Sequence, residues 1–160
     1  MKDQATNFLH SLKLQFAPPK INDPDFGPLL YMYISNHPER SYWECEWLFP
    51  KTKTDISISL PGDESGPTKE ARSFYLGLAS RFEKIIELSR PKLEEAFVHW
   101  IKQPLPEDIF KVVELAGFNV EDPSSSPINW NIMFETTGDK WVAITIPFTG
   151  DLPQDAVVDT

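Results

Sequence analysis

The chain has one cysteine, Cys45, and three histidines among its 160 residues. A lone thiol excludes an intrachain disulfide and any multi-cysteine metal site, which fits a reducing compartment. His10, His37 and His99 stand in no HxxxH spacing and none pairs with the cysteine, so no histidine metal motif is present and no cofactor is expected. Positive charge is scarce as well: 15 lysines and arginines face 24 acids, a formal charge of -9. Affinity for nucleic acid comes largely from Lys and Arg displacing counterions, so DNA and RNA are excluded as expected partners. A basic protein, in contrast, is steered toward such a surface. No apolar run approaches a membrane span. The first residues, "MKDQATNFLHSLKLQF", are interrupted by His10, Lys13 and Gln15 where a signal peptide needs an unbroken apolar stretch. The expectation is a cytoplasmic protein that does not enter membranes.

Missing too are GxxxxGK[ST], GxGxxG and GxSxG, which leaves phosphate cradling and a nucleophile elbow without support. "DPD" at 23 to 25 and "GDESG" at 62 to 66 resemble fragments of a calcium loop but lack its one-three-five pattern and twelfth-position glutamate. They read as turns and caps.

What is present is enough apolar material for one core. Hydrophobic residues make up 41% and aromatics 12%, outside the range in which a chain cannot offset its ordering entropy. In "FLHSLKLQF" the apolar residues fit a helix through Phe8, Leu12 and Phe16 and a strand through Leu12, Leu14 and Phe16, so residues 1–21 stay undecided between the two. "APPKINDPDFGP" is turn-rich. From Leu29 to Ile34, and again through "YWECEWLF", the residues read as strand, turn, strand, with Trp43, Cys45, Trp47 and Phe49 on one face and Glu44 and Glu46 on the other. "TDISISL" adds a third alternating strand.

The period then changes. Ala71, Phe74, Tyr75, Leu78, Phe82, Ile85 and Ile86 recur at helical spacing after Pro67, with a stop at Ser89-Arg90-Pro91. Leu93, Ala96, Phe97, Trp100 and Ile101 mark a second helix, and Ile109, Val112, Val113 and Ala116 a third over 107–116. Trp130, Ile132 and Phe134, then Val142, Ile144, Ile146 and Phe148, alternate as a closing hairpin. The fold predicted over 22–160 is a single α+β domain, an antiparallel sheet of about five or six strands packed against a block of three helices. Trp43, Cys45, Trp47, Phe82, Trp100, Ile144 and Ile146 are expected in its core. Of the two sides of the Leu29–Ile34 strand, either Tyr31 and Tyr33 or Met32 and Ile34 must be the more exposed. "WECEWLFPKTKTDISISLPGD" and "WNIMFETTGDKWVAITIPFTGD" echo each other; an internal duplication and the general likeness of amphipathic hairpins both account for this.

In the last stretch, "GDLPQDAVVDT", Asp151, Asp155 and Asp159 recur every four residues and would repel one another on a helix, so the stretch reads as extended. Trp141, on the opposite side from Val142 and Ile144, and these three aspartates are the candidate partner-binding residues, an aromatic anchor rimmed by charge. No catalytic residue is assigned from spacing.

"DPDFG", a Trp-bearing strand, "GDESGPT" and a long helix with "FYLGL" follow in that order over 22–102. This order resembles bacterial families of a domain of unknown function with an Asp-Pro-x-Phe-Gly start and an acidic Gly-Pro opening to a helix. The chain departs from them in carrying "SNHPERS" and the second hairpin. The resemblance implies an immunity-like inhibitor of a toxin and brings no catalytic residues. The function expected is therefore binding of a macromolecule, with a basic protein as partner. The alternative is a small hydrolase with an unmarked carboxylate site.

Overall fold

The alternation of Trp43, Cys45, Trp47 and Phe49 with Glu44, Glu46 and Leu48 is realised as a strand whose aromatic side is buried and whose acidic side faces solvent. A computed structural model describes residues 2 to 160. In chain order these form α1 (Lys2–Phe16), β1 (Lys20–Asp23), β2 (Gly27–Met32), β3 (Tyr42–Phe49), β4 (Thr54–Asp63), β5 (Gly66–Pro67), α2 (Lys69–Ser80), α3 (Phe82–Ile101), β6 (Val113–Val120), β7 (Asn129–Thr136), β8 (Ala143–Thr149), β9 (Leu152–Pro153) and β10 (Val157–Asp159). The undecided first segment is thus a helix followed by a short strand; Met1 lies outside the described residues.

The fold is α+β with three helices and a mostly antiparallel sheet of ten strands, ordered β1-β2-β3-β4-β6-β7-β8-β10 with β5 on β4 and β9 on β8. That exceeds the five or six strands expected. β1, β5, β9 and β10 have only two to four residues each, too few for alternation to show. Nor is the pairing wholly antiparallel. After β4 the chain crosses one face as α2 and α3 and returns beside β4, which makes β6 parallel to it through one bridge, Ser57 with Gly117. A Cβ at Gly117 would sit 3.0 Å from Ser57 O, so glycine lets the two strands approach there without crowding.

The helical block is corrected in two places. The break falls at Arg81, whose φ of -117° and ψ of 23° separate α2 from α3. Ser89 caps nothing; it is buried mid-helix with its Oγ donating to Ile85 O at 2.7 Å, and α3 runs through Pro91. The third helix expected over 107–116 is a single 3-10 turn, Ile109–Lys111, followed by β6.

The helices bury Ala71, Tyr75, Leu78, Ile85, Leu93 and Phe97 against the inward side chains of the sheet, and one continuous core results. Six of the seven residues expected in it are there; Trp100 is not, being 39% exposed. It continues the buried stripe of α3 by spacing, but at the helix's last turn it borders an open hollow with Asp155, Ala156 and Val158. Tyr31 points inward against Trp43, ring centroids 5.0 Å apart, and Met32 outward. α1 is attached through Leu14, Ser11 Oγ to Tyr33 Oη at 3.2 Å, and His10 Nε2 to Glu64 Oε1 at 3.0 Å.

β2-β3-β4 and β6-β7-β8 are two like meanders side by side. In each, the tryptophan opening the hairpin donates its indole N–H to a backbone carbonyl twenty residues on: Trp43 to Asp63 O and Trp130 to Gly150 O, both at 2.8 Å. Each meander then ends in a tight turn to a two-residue strand closing on a proline, Pro67 or Pro153.

Candidate interaction face

The helices α2 and α3 lie on one side of the sheet, because the crossover between the parallel β4 and β6 occupies a single face. The outward side chains on the other side follow from the register. Lys20, Leu30, Glu44 and Ser59 form one row across β1 to β4. Glu46, Ser57, Gly117, Met133, Thr145 and Val157 form a second, across β3 to β10. Leu48 pairs with Asp55, Glu114 with Glu135, and Asn119 with Asn131. Among outward strand residues the acids are Glu44, Glu46, Asp55, Asp63, Glu114, Glu135 and Asp159 and the base is Lys20, with Arg40 added from the turn before β3.

This face is open rather than clefted. A hollow of about 810 Å³ lies over β1 to β3, between Lys20, Leu30, Glu44 and Glu46. A second, of about 680 Å³, lies where β4 and β6 diverge beyond their single bridge, between Tyr42, Ser59, Asn119 and Glu121. Beside it, Asn131 Oδ1 is buried without a hydrogen-bond partner.

The expected partner-binding residues are separated. Trp141 is 51% exposed and lies on the outward side, Val142 being fully buried. Asp159 is near it, paired in β10 with Ala143. Asp151 and Asp155 are instead turned to the helical side, where Asp151 pairs with Arg81 of α2's end and Asp155 with Lys92 of α3 at 2.7 Å. The carboxylates Asp55, Glu114 and Glu135, which the sheet does bring to Asp159's side, were hidden in the sequence. Glu114 in particular sat in an expected helix; the signal that reveals it is the alternation of Val113, Leu115, Phe118 and Val120 once one extra residue is allowed.

The other candidates are structural. Asp23 Oδ1 accepts the backbone N–H of Asp25 at 2.9 Å and of Phe26 at 3.1 Å, and Arg72 of α2 binds both Asp23 and Asp25. Asp63 caps its turn through Ser65, whose hydrogen bonds hold its carboxyl below the usual range. The other acids with a clear shift, Glu39, Asp122 and Asp155, are also lowered, chiefly by a backbone hydrogen bond, by Ser124 and by Lys92 respectively. A carboxyl kept protonated for acid catalysis would be shifted the other way. His37 faces Glu39 at 3.2 Å on the surface. Cys45 is buried, its Sγ donating to Phe26 O at 3.1 Å. Among the described residues no group of three His, Cys, Asp or Glu side chains could hold a metal ion, and no helix is long and apolar enough to cross a membrane.

No family model matches the chain, and neither the curated proteins nor the solved structures compared with it gave a match.

Proposed function

We propose that the chain is a binding protein for a macromolecule with a basic surface, acting as an immunity-like inhibitor that covers a basic protein. The observation carrying this reading is the uncovered face of the sheet, where outward carboxylates outnumber the two bases there, Lys20 and Arg40. Such a surface attracts cations at a distance and raises the rate of encounter. Its two hollows are broad and open to solvent, whereas a small substrate is held best in an enclosing site.

The test is capture at low salt on the immobilised chain, run beside a variant in which Glu44 and Glu46 are Gln and Asp55 is Asn. The reading expects one basic protein to be retained by the wild type, released by salt, and lost on the variant. A retained partner of acidic charge, or a turnover abolished by one Asp or Glu substitution, would overturn it.

A further inference from the structure

The segment 151–160 places no residue in the core: each is exposed or half-buried. Within it β10 pairs three residues with β8, Val157 with Thr145, Val158 with Ile144 and Asp159 with Ala143. Ala156 and Val158 lie half-buried beside Ala96 and Trp100 of α3, around a hollow of about 210 Å³. One ion pair ties the segment to α3, Lys92 Nζ to Asp155 Oδ1 at 2.7 Å, and the Asp155 side chain is 90% exposed. β1 buries as little, but its Asp23 is clamped by Arg72. β10 has no such clamp. The chain just before it is held differently: Trp130 donates to Gly150 O at 2.8 Å, Asp151 pairs with Arg81, and Leu152 and Pro153 pair with Thr149 and Phe148.

What the segment covers follows from the backbone of β8. Val142 O accepts the N–H of Thr136 on the β7 side, and Pro147 O accepts the N–H of Gln154 on the other side at 2.7 Å. Alternation between these two points turns the N–H and C=O of Ala143 and Thr145 toward β10, and those of Ile144 and Ile146 toward β7. The side chains of Ile144 and Ile146 are fully buried, so β8 stays packed in the core whether or not β10 is in place.

We infer that residues 154–159 form a strap that lifts off β8 and α3 as one unit while the rest of the fold holds, and that its closed form guards the β8 edge against a second copy of the chain. A segment with few buried apolar contacts and solvent-facing backbone bonds opens at a free energy well below that of the whole domain. The lift stops at Pro153, where the pairing with Phe148 and the bond to Gly150 O begin. The edge then left bare runs from Ala143 to Pro147, and an unpaired strand edge is a template for another strand. The same edge of a second copy fits it antiparallel, since Ala143 and Thr145 each offer one donor and one acceptor.

The test is amide hydrogen exchange of the full chain, read residue by residue by NMR. The amides of Ala143, Thr145, Val157 and Asp159 should share one opening and be protected about a hundredfold or more less than those of Ile144 and Ile146. Asp155→Asn should speed those four by about two- to fivefold and leave Ile144 and Ile146 unchanged. Val157→Pro lacks the N–H that faces Thr145; it should leave Ala143 and Thr145 unprotected and sediment as a dimer at concentrations where the wild type is a monomer. Protection of Ala143 and Thr145 equal to that of Ile144 and Ile146, in the wild type or in Val157→Pro, overturns the strap. Asp155→Asn speeding all six amides alike overturns it too, since the segment would then open only with the whole fold. A Val157→Pro chain whose β8 edge is unprotected but which stays monomeric overturns the guard.

Discussion

Cys45 and Arg72 are tied to the same short loop, and each makes a measurable commitment. Burial pushes the Cys45 thiol up to about 11, with the Glu46 and Asp23 carboxylates adding to the effect. The folded chain thus disfavours the thiolate relative to the unfolded chain, whose cysteine titrates near ~8.5. Stability is fully present below that pH and declines as pH rises from there toward 11. At pH 8 a disulfide reagent should modify Cys45 about a hundredfold or more slowly in the native chain than in urea; comparable rates would contradict the burial. Arg72 binds Asp23, whose side chain is 7% exposed, and Asp25, and lies 5.3 Å from the Phe26 ring centre. Arg72→Ala leaves Asp23 buried without its counter-ion and should lower unfolding free energy by about 2–4 kcal/mol in a denaturant titration. Arg72→Lys should recover only part, because an ammonium has no fork to reach two carboxylates. The pair explains in physical terms why "DPDFG" and "GPTKEAR" belong together: one is the turn and the other carries the arginine that holds it.

At the scale of elements, the alternating strands were legible because each buries a single face: β3, β4, β7 and β8 could be read directly from Trp43 to Phe49, Ile56 to Leu60, Trp130 to Phe134 and Ile144 to Phe148. The failure at β6 has a specific cause. The bulge at Ala116 shifts the period by one residue, so Val112, Val113 and Ala116 fall at helical intervals although the segment is extended. The open face was correspondingly half legible. Glu44 and Glu46 follow from β3 alone, whereas the company of Asp55, Glu114, Glu135 and Asp159 depends on the order of strands and on the bulge, neither of which local pattern can supply. Asp151 and Asp155 were placed by spacing, which is blind to the cations of α2 and α3 across from them. The likeness of the two meanders leads to a further expectation. Trp43→Phe and Trp130→Phe each remove one indole N–H bond to a backbone carbonyl at the same relative position, so each should cost a similar ~1 kcal/mol beyond the repacking of the ring. Denaturation midpoints differing by more than twofold in that cost would show that the two bonds are not equivalent.

For the molecule as a whole, the sign of the salt effect decides between two uses of charge. The chain carries -9, and among the described residues the ion pairs outside the Arg72 clamp join exposed or half-exposed groups: Arg81 with Asp151, Lys92 with Asp155, Lys84 with Glu87, His10 with Glu64 and His37 with Glu39. Exposed pairs contribute about 0–1 kcal/mol each and are themselves screened, while the unpaired acids of the open face repel one another across distances that a Debye length of about 30 Å at 0.01 M leaves unscreened and one of about 8 Å at 0.15 M does not. Repulsion should therefore win, and the thermal midpoint should rise as sodium chloride is raised over that range. Glu114→Gln/Glu135→Gln should raise the midpoint at low salt and reduce its further rise, because it removes a directly opposed pair of like charges. Asp151→Asn/Asp155→Asn should do the reverse, lowering the midpoint slightly at low salt, since those carboxylates face cations. A midpoint that falls with salt in the wild type, or that the glutamine variant fails to raise at low salt, would mean that the open-face acids are compensated in the free chain, and a basic partner would then gain nothing by neutralising them.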